Sequence, residues 1–110
     1  MFVGVKKEVI MMQGAQAFLD SLDERTQVHF VRIKKILAEE GFLYAPYGEK
    51  IGGYANLFAI RITHGQNVRF FYCYDTGDAV YVLSGYEKKT EHIPVHEIKQ
   101  ALRLKKELGL

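Results

Sequence analysis

Cysteine is almost absent from this chain: Cys73 is the only one in 110 residues. A lone thiol closes no intramolecular disulfide, and such usage fits a reducing, cytoplasmic setting. Long apolar runs are missing too. The one near the start, Val9-Ile10-Met11-Met12, is short and preceded by charge, unlike a secretory leader. Nothing approaches the roughly 20 apolar residues that cross a bilayer, so a soluble protein is expected. Proline occurs only at Pro46 and Pro94, both at apparent element boundaries. No repeat, low-complexity tract or linker divides the chain, so one domain over residues 1–110 is expected. Phosphate-cradling glycine loops, nucleophile elbows and zinc-ligand spacings are absent as well.

What is present is the balance of an ordinary globular protein, 48% apolar and 25% charged, which excludes global disorder. The net charge of +2 decides nothing about partners. Its distribution says more. From Gly85 onward six Lys or Arg stand against four Glu, a modestly basic final quarter that permits a polyanionic partner.

The periodicities give an α+β fold in the order β-α-α-β-β-β-α. Residues 2–10 carry β-formers and are expected to form a first strand. Gly14 to Leu22 has helical spacing. Asp23 then reads as the N-cap of a second helix to about Glu40, with Gly41 after its end. Val28, Val31, Ile33, Ile36 and Leu37 are taken as that helix's buried side. Residues 42–56 hold Pro46, Gly48, Gly52 and Gly53 and read as loop with a brief strand. Three strand-like runs follow, Leu57 to Thr63, Val68 to Tyr74 and Ala79 to Ser84, a three-stranded antiparallel meander. Pro94 opens a last helix, Val95 to Leu108. Consecutive strands on short turns, with helices at the ends, indicate α+β rather than a doubly wound sheet.

Strand alternation locates the polar residues. Phe58, Ile60 and Ile62 share one face, leaving Leu57, Ala59 and Arg61 on the other. Val68, Phe70, Tyr72 and Tyr74 likewise oppose Arg69, Phe71 and Cys73. A hairpin symmetric about Gly65 sets Arg61 directly across from Arg69. Like charges so opposed are unfavourable by a few tenths to about 1 kcal/mol. An anion such as phosphate between them would resolve the conflict; a solvated sheet face with Glu partners is the plainer reading. Lys88 and Lys89 follow the last strand, where a polar loop and a basic pocket are both admissible. His92 and His96 flank Pro94 and lack the further ligands a metal would need, so no metal site is expected. A histidine beside lysines suits general acid or base chemistry instead. His29 and His64 receive no role. The strand aromatics Phe71, Tyr72, Tyr74 and Tyr81 are expected mainly in the core.

Taken in order, Gly52-Gly53-Tyr54-Ala55-Asn56-Leu57-Phe58-Ala59-Ile60-Arg61, Asn67-Val68-Arg69-Phe70-Phe71-Tyr72, Val80 to Thr90, and Pro94 with Glu97-Ile98 to Lys105-Lys106-Glu107 resemble the RelE/ParE superfamily of toxins, in particular its HigB-like, phage-derived branch. The likeness covers residues 51–108, and the helical hairpin also fits. It departs at three places. Ala59-Ile60-Arg61 stands where the family has Glu-Leu-Arg, Ser84 where a His is common, and Ile93 where a Thr often precedes Pro.

The resemblance implies the toxin of a type II toxin–antitoxin pair. It further implies a ribosome-dependent mRNA endoribonuclease in which a ribose 2′-OH attacks the adjacent phosphorus without a metal or other cofactor. Under it, Arg61 and Arg69 stabilise the phosphate. Lys88 and Lys89 bind it or move protons, and His92 is the acid or base. Lys99 and Arg103 hold ribosomal RNA. The implied partners are ribosome, mRNA and a cognate antitoxin laid over the basic sheet face; neither a membrane nor a small-molecule cofactor is involved. Two other classes stay open: a ParE-like protein that poisons gyrase, and a phage-derived relative that keeps the fold without nuclease activity.

Overall fold

The computed structural model describes residues 5–110. Eight elements follow one another: β1 (Glu8–Met11), α1 (Gln13–Asp20), α2 (Glu24–Glu40), β2 (Gly48–Lys50), β3 (Phe58–Ile62), β4 (Val68–Tyr74), β5 (Ala79–Glu87) and α3 (Val95–Glu107). The α+β class expected from the sequence is borne out, and the element order holds with β2, the brief strand of residues 42–56, added to it.

The meander is the centre of a larger, mixed sheet. Its strand order is β1-β5-β4-β3-β2. β3, β4 and β5 run antiparallel, β2 adds antiparallel to β3, and β1 lies parallel to β5 with Val9 opposite Val80. Parallel neighbours need a long crossover, and β1 reaches β5 only after the rest of the fold intervenes. The first strand is shorter than its β-formers implied. It begins at Glu8, Val5 before it is exposed, and Phe2 and Val3 lie outside the described residues. β5 runs on past Ser84 to Glu87, because Glu87 pairs with Val68 and the Lys88 amide donates to the Asn67 carbonyl at 2.8 Å.

Local chemistry sets the helix ends. The Asp23 carboxylate accepts from the Thr26 amide at 2.8 Å and the Thr26 hydroxyl at 2.5 Å, capping α2. Gly41 closes α2 with φ 82°, where only glycine is unstrained. Pro94 is the N-cap of α3 and supplies no side-chain acceptor.

Two apolar layers cover the sheet. On one face α1 and α2 pack Ala15, Leu19, Phe30, Ile33 and Leu37 against Ile60, Phe70, Tyr72 and Val82. On the other, Ile98 and Ala101 of α3 pack on Ala59, Phe71, Cys73 and Leu83. The alternation expected for β3 and β4 is therefore observed. The expected face of α2 is not. Val28, Val31 and Ile36 are exposed, and Phe30 and Thr26 join Ile33 and Leu37 inside. At 100° per residue, 28 and 31 fall almost opposite 33 and 37, so these five apolar residues cannot share one face.

Gly85 shows how tightly the first layer is filled. A Cβ there would lie 2.6 Å from a Phe18 ring carbon and 2.9 Å from the Phe70 ring. Gly85→Ala is expected to destabilise by about 1–3 kcal/mol through overpacking, read as a lower urea midpoint at unchanged m-value.

The α2 cap gives a pH signature. Hydrogen bonds from Thr26 hold the Asp23 carboxyl below its usual pKa. A depressed carboxylate stabilises the fold above its unfolded value and loses that contribution as pH falls through the folded value. Asp23→Ala should lower the melting temperature by a few degrees at neutral pH. The gap to wild type should close as pH drops below about 4, followed by circular dichroism.

Candidate functional site: an opposed arginine pair

The β3–β4 register places Arg61 directly opposite Arg69, symmetric about Gly65 as the sequence implied. Both belong to the α3 side of the sheet, in line with Ala59 and Phe71. Their surroundings differ. Arg69 is 3% exposed, while Arg61 is half-buried.

The Arg69 guanidinium is held by the chain beside it. Nη1 donates to the Asn67 side-chain carbonyl at 2.8 Å and to the Val68 main-chain carbonyl at 3.1 Å. Its Nε lies 3.4 Å from the Glu49 carboxylate on β2, an ion pair without hydrogen-bond alignment. Arg61 Nη1 donates to the Pro46 carbonyl at 3.4 Å. Burial pushes the Arg69 guanidinium below its ordinary pKa, and Arg61 pushes it further; Glu49 and Tyr86 pull it back. Arg69 thus has Glu49 as its ion-pair partner, whereas Arg61 has no ion pair among the described residues.

Tyr86 completes the cluster through a β-bulge. Along β4, Phe71 pairs with Ser84 but Tyr72 pairs with Val82, so Leu83 is the extra residue. The bulge reverses the alternation of β5 beyond it. Tyr86 consequently lies opposite Arg69 and stacks on Phe71 with centroids 5.7 Å apart. Its phenol is pushed up to about 12, chiefly by burial, with Arg69 opposing and Glu49 and Glu97 adding. At neutral pH it keeps its proton and is a donor. Arg61 Nε, Arg69 Nε and Tyr86 Oη are buried without a hydrogen-bond partner. Unsatisfied buried donors are costly, and these three belong to residues grouped on one patch of sheet. An oxyanion is the kind of acceptor such donors lack.

The other sequence candidates are less closely tied to the pair. Lys88 leaves β5 beside Asn67 and its Nζ donates to the Glu91 carbonyl at 3.0 Å. The main chain of half-buried Lys88 and the Arg69 guanidinium are thereby joined through Asn67. Lys89 is exposed, 3.8 Å from Glu87. His92 is exposed in the β5–α3 loop, its main-chain carbonyl bonded by the Thr90 hydroxyl. No contact among the described residues ties its imidazole to the arginines. Lys99 and Arg103 are exposed on successive turns of α3.

Sequence reasoning did not find Glu49, Asn67 or Tyr86. Glu49 sits in a three-residue strand inside a Gly- and Pro-rich stretch. Counting alternation from Val82 puts Tyr86 on the wrong face, and only the bulge corrects it. The Asn67-x-Arg69 spacing was the one visible signal, since an Asn two residues away can reach the same guanidinium.

The fold that carries this patch is that of RelE. The structure superimposes on an arginine double mutant of the Escherichia coli toxin RelE in the free state with a TM-score of 0.70 at 14% identity, covering 90% of this chain and 97% of the other. It also matches the archaeal RelE–RelB complex from Pyrococcus horikoshii OT3 with a TM-score of 0.60 at 19% identity, covering 76% and 96%. No curated protein matches. The model for the family "Phage derived protein Gp49-like" matches residues 17–106, and the chain belongs to that family.

The excess positive charge is testable. Inorganic phosphate should raise the melting temperature of the wild type, and Arg61→Gln should abolish the increment. Glu49→Gln removes the counter-charge, so it should melt lower without phosphate and gain more from it, as read by differential scanning calorimetry.

Proposed function

We propose that this protein is the toxin of a type II toxin–antitoxin pair and acts as a metal-independent, ribosome-dependent mRNA endoribonuclease. The observation that carries this reading is the opposed Arg61–Arg69 pair with its unsatisfied donors. The fold shared with a toxin and the phage-derived family support it. The partner in the RelE–RelB complex supports an antitoxin for this chain also.

In the proposed reaction the 2′-oxygen bonds to the adjacent phosphorus and the bond to the 5′-oxygen breaks. A 2′,3′-cyclic phosphate and a 5′-hydroxyl result. Negative charge builds on the non-bridging oxygens, and Arg61 and Arg69 neutralise it from fixed positions. The neutral Tyr86 phenol donates to the same oxygens. Lys88 and Lys89 bind the flanking phosphates at the rim. The 2′-OH proton goes to Glu49 or His92, and the 5′-oxygen takes one from a lysine or from Tyr86. Glu49 is the better-placed acceptor, because it already lies in the arginine cluster while His92 stands in solvent. Lys99 and Arg103 contribute counter-charge toward ribosomal RNA.

Reporter-message cleavage in a translating extract checks this. Arg61→Ala or Arg69→Ala should slow cleavage about 10²–10³-fold. Glu49→Gln should lose more than His92→Ala if Glu49 is the acceptor, and the reverse order assigns His92. Intact message with the wild type would sink the nuclease reading. DNA breaks that require gyrase, without loss of message, would select the ParE-like alternative.

A further inference from the structure

The α2 side of the molecule carries a groove. It follows α2 from end to end as a chain of overlapping concavities. The first, about 500 Å³, is lined by Glu24, Arg25, Val28, His29, Arg32 and His64. The next shares His29, Arg32 and His64 and adds Ile36 and Tyr47. Ile36 and Tyr47 also line a third, which reaches Tyr44. Tyr44 and Glu40 continue into the last, about 480 Å³, beside Lys7 and Tyr74. With 17 residues in α2, the groove is about 25 Å long.

Its two halves differ in chemistry. The half near the start of α2 is cationic. Arg25 and Arg32 stand two turns apart on one stripe of the helix, with His29 between them. The His29 and His64 rings stack with centroids 4.2 Å apart, and His29 Nδ1 is buried without a hydrogen-bond partner. The half near the end of α2 is mainly apolar and aromatic, with Lys7 and Glu40 as its charged members. Tyr44 is 74% exposed and Tyr47 41%, and Ile36 is open beside them. Val28 and Val31, further exposed aliphatics, border the stripe on α2. These are the residues whose periodicity pointed to the core and which the fold leaves outside.

We propose that this groove docks one amphipathic segment of a protein partner, with acidic residues against Arg25 and Arg32 and large apolar residues against Ile36, Tyr44 and Tyr47. Charge complementarity fixes the direction. A nucleic-acid strand fits less well, since it carries a phosphate at every step and needs cations along its length. Here Glu40 lines the apolar half, Lys35 is engaged with Glu39 at 4.0 Å, and aliphatic side chains have no use against phosphate. A helix or strand laid in such a groove is a recurring mode of peptide recognition. α2 packs on the opposite face of the sheet from Arg61 and Arg69, and the two sites adjoin only at the β2 edge, where the Tyr47 carbonyl accepts the Arg61 amide at 2.8 Å. That contrasts with the expectation of a partner laid over the basic sheet face. That the partner is the antitoxin rests on the function proposed above; the docking itself does not.

Display of random peptides of about 16 residues, the length a helix of about 24 Å requires, against the folded chain tests this without ribosome or message. Recovered sequences should carry Asp or Glu toward one end and Leu, Ile or Phe toward the other. Arg32→Glu and Tyr44→Ala should each weaken a recovered peptide at least about tenfold. Arg69→Ala, which should abolish cleavage, should leave peptide affinity unchanged. Circular dichroism confirms that each variant is folded. The proposal is overturned if no peptide is enriched, or if enriched peptides ignore both groove substitutions. It is equally overturned if an oligouridylate of about that length, and no peptide, loses binding in Arg32→Glu. A wild type that binds a recovered peptide but leaves message intact would fail the nuclease reading alone.

Discussion

The buried Arg69 guanidinium constrains most of what surrounds it. A cation that is 3% exposed must be fully engaged or it destabilises the fold. The chain meets this demand from two sides but leaves Nε without a hydrogen bond. Asn67 and the Val68 carbonyl fix the guanidinium within β4, and Glu49 reaches it from β2. Arg61 works against that arrangement from the neighbouring strand, at a register that leaves no freedom to separate the two charges. The result is a rigid patch in which Arg69 has an ion-pair partner and Arg61 has none among the described residues. Such a patch is poised for an anion because the protein itself does not complete it.

Rigidity around the patch comes from the two apolar layers. Phe71 stacks on Tyr86 on the α3 side, while Phe70 packs against Phe18 and Phe30 on the other. The bulge at Leu83 couples these layers to the site. It bends β5, lets Gly85 sit under the Phe18 and Phe70 rings, and turns Tyr86 toward Arg69. One extra residue in one strand therefore decides both a packing contact and the chemistry of the arginine cluster. Bulges are enriched where a strand must re-aim a side chain, and this one does so.

The α2 surface makes a complementary point about apolar residues. Val28, Val31 and Ile36 contribute nothing to the core of this chain, whereas Phe30, Ile33 and Leu37 fill it. Aliphatic side chains held in water beside two arginines and two tyrosines are better explained by a second surface than by stability. The molecule thus has two faces of different character, a cationic patch on one side of the sheet and a half-cationic, half-apolar groove on the other.

Much of this was already determined by the sequence. Asp23 and Gly41 delimit α2 because a carboxylate and a glycine each satisfy a local backbone need. Alternation assigned the faces of β3 and β4, and symmetry about Gly65 paired Arg61 with Arg69, because strand periodicity and a short turn leave few registers. Three things were decided only in three dimensions. The parallel pairing of β1 with β5 joins residues some seventy positions apart, which no local pattern encodes. The burial side of α2 depended on which of two apolar stripes met the sheet, and both stripes look alike in one dimension. The gathering of Glu49 and Tyr86 around Arg69 needed a short edge strand and a bulge, features that act through hydrogen bonds between strands rather than through the residues' own preferences.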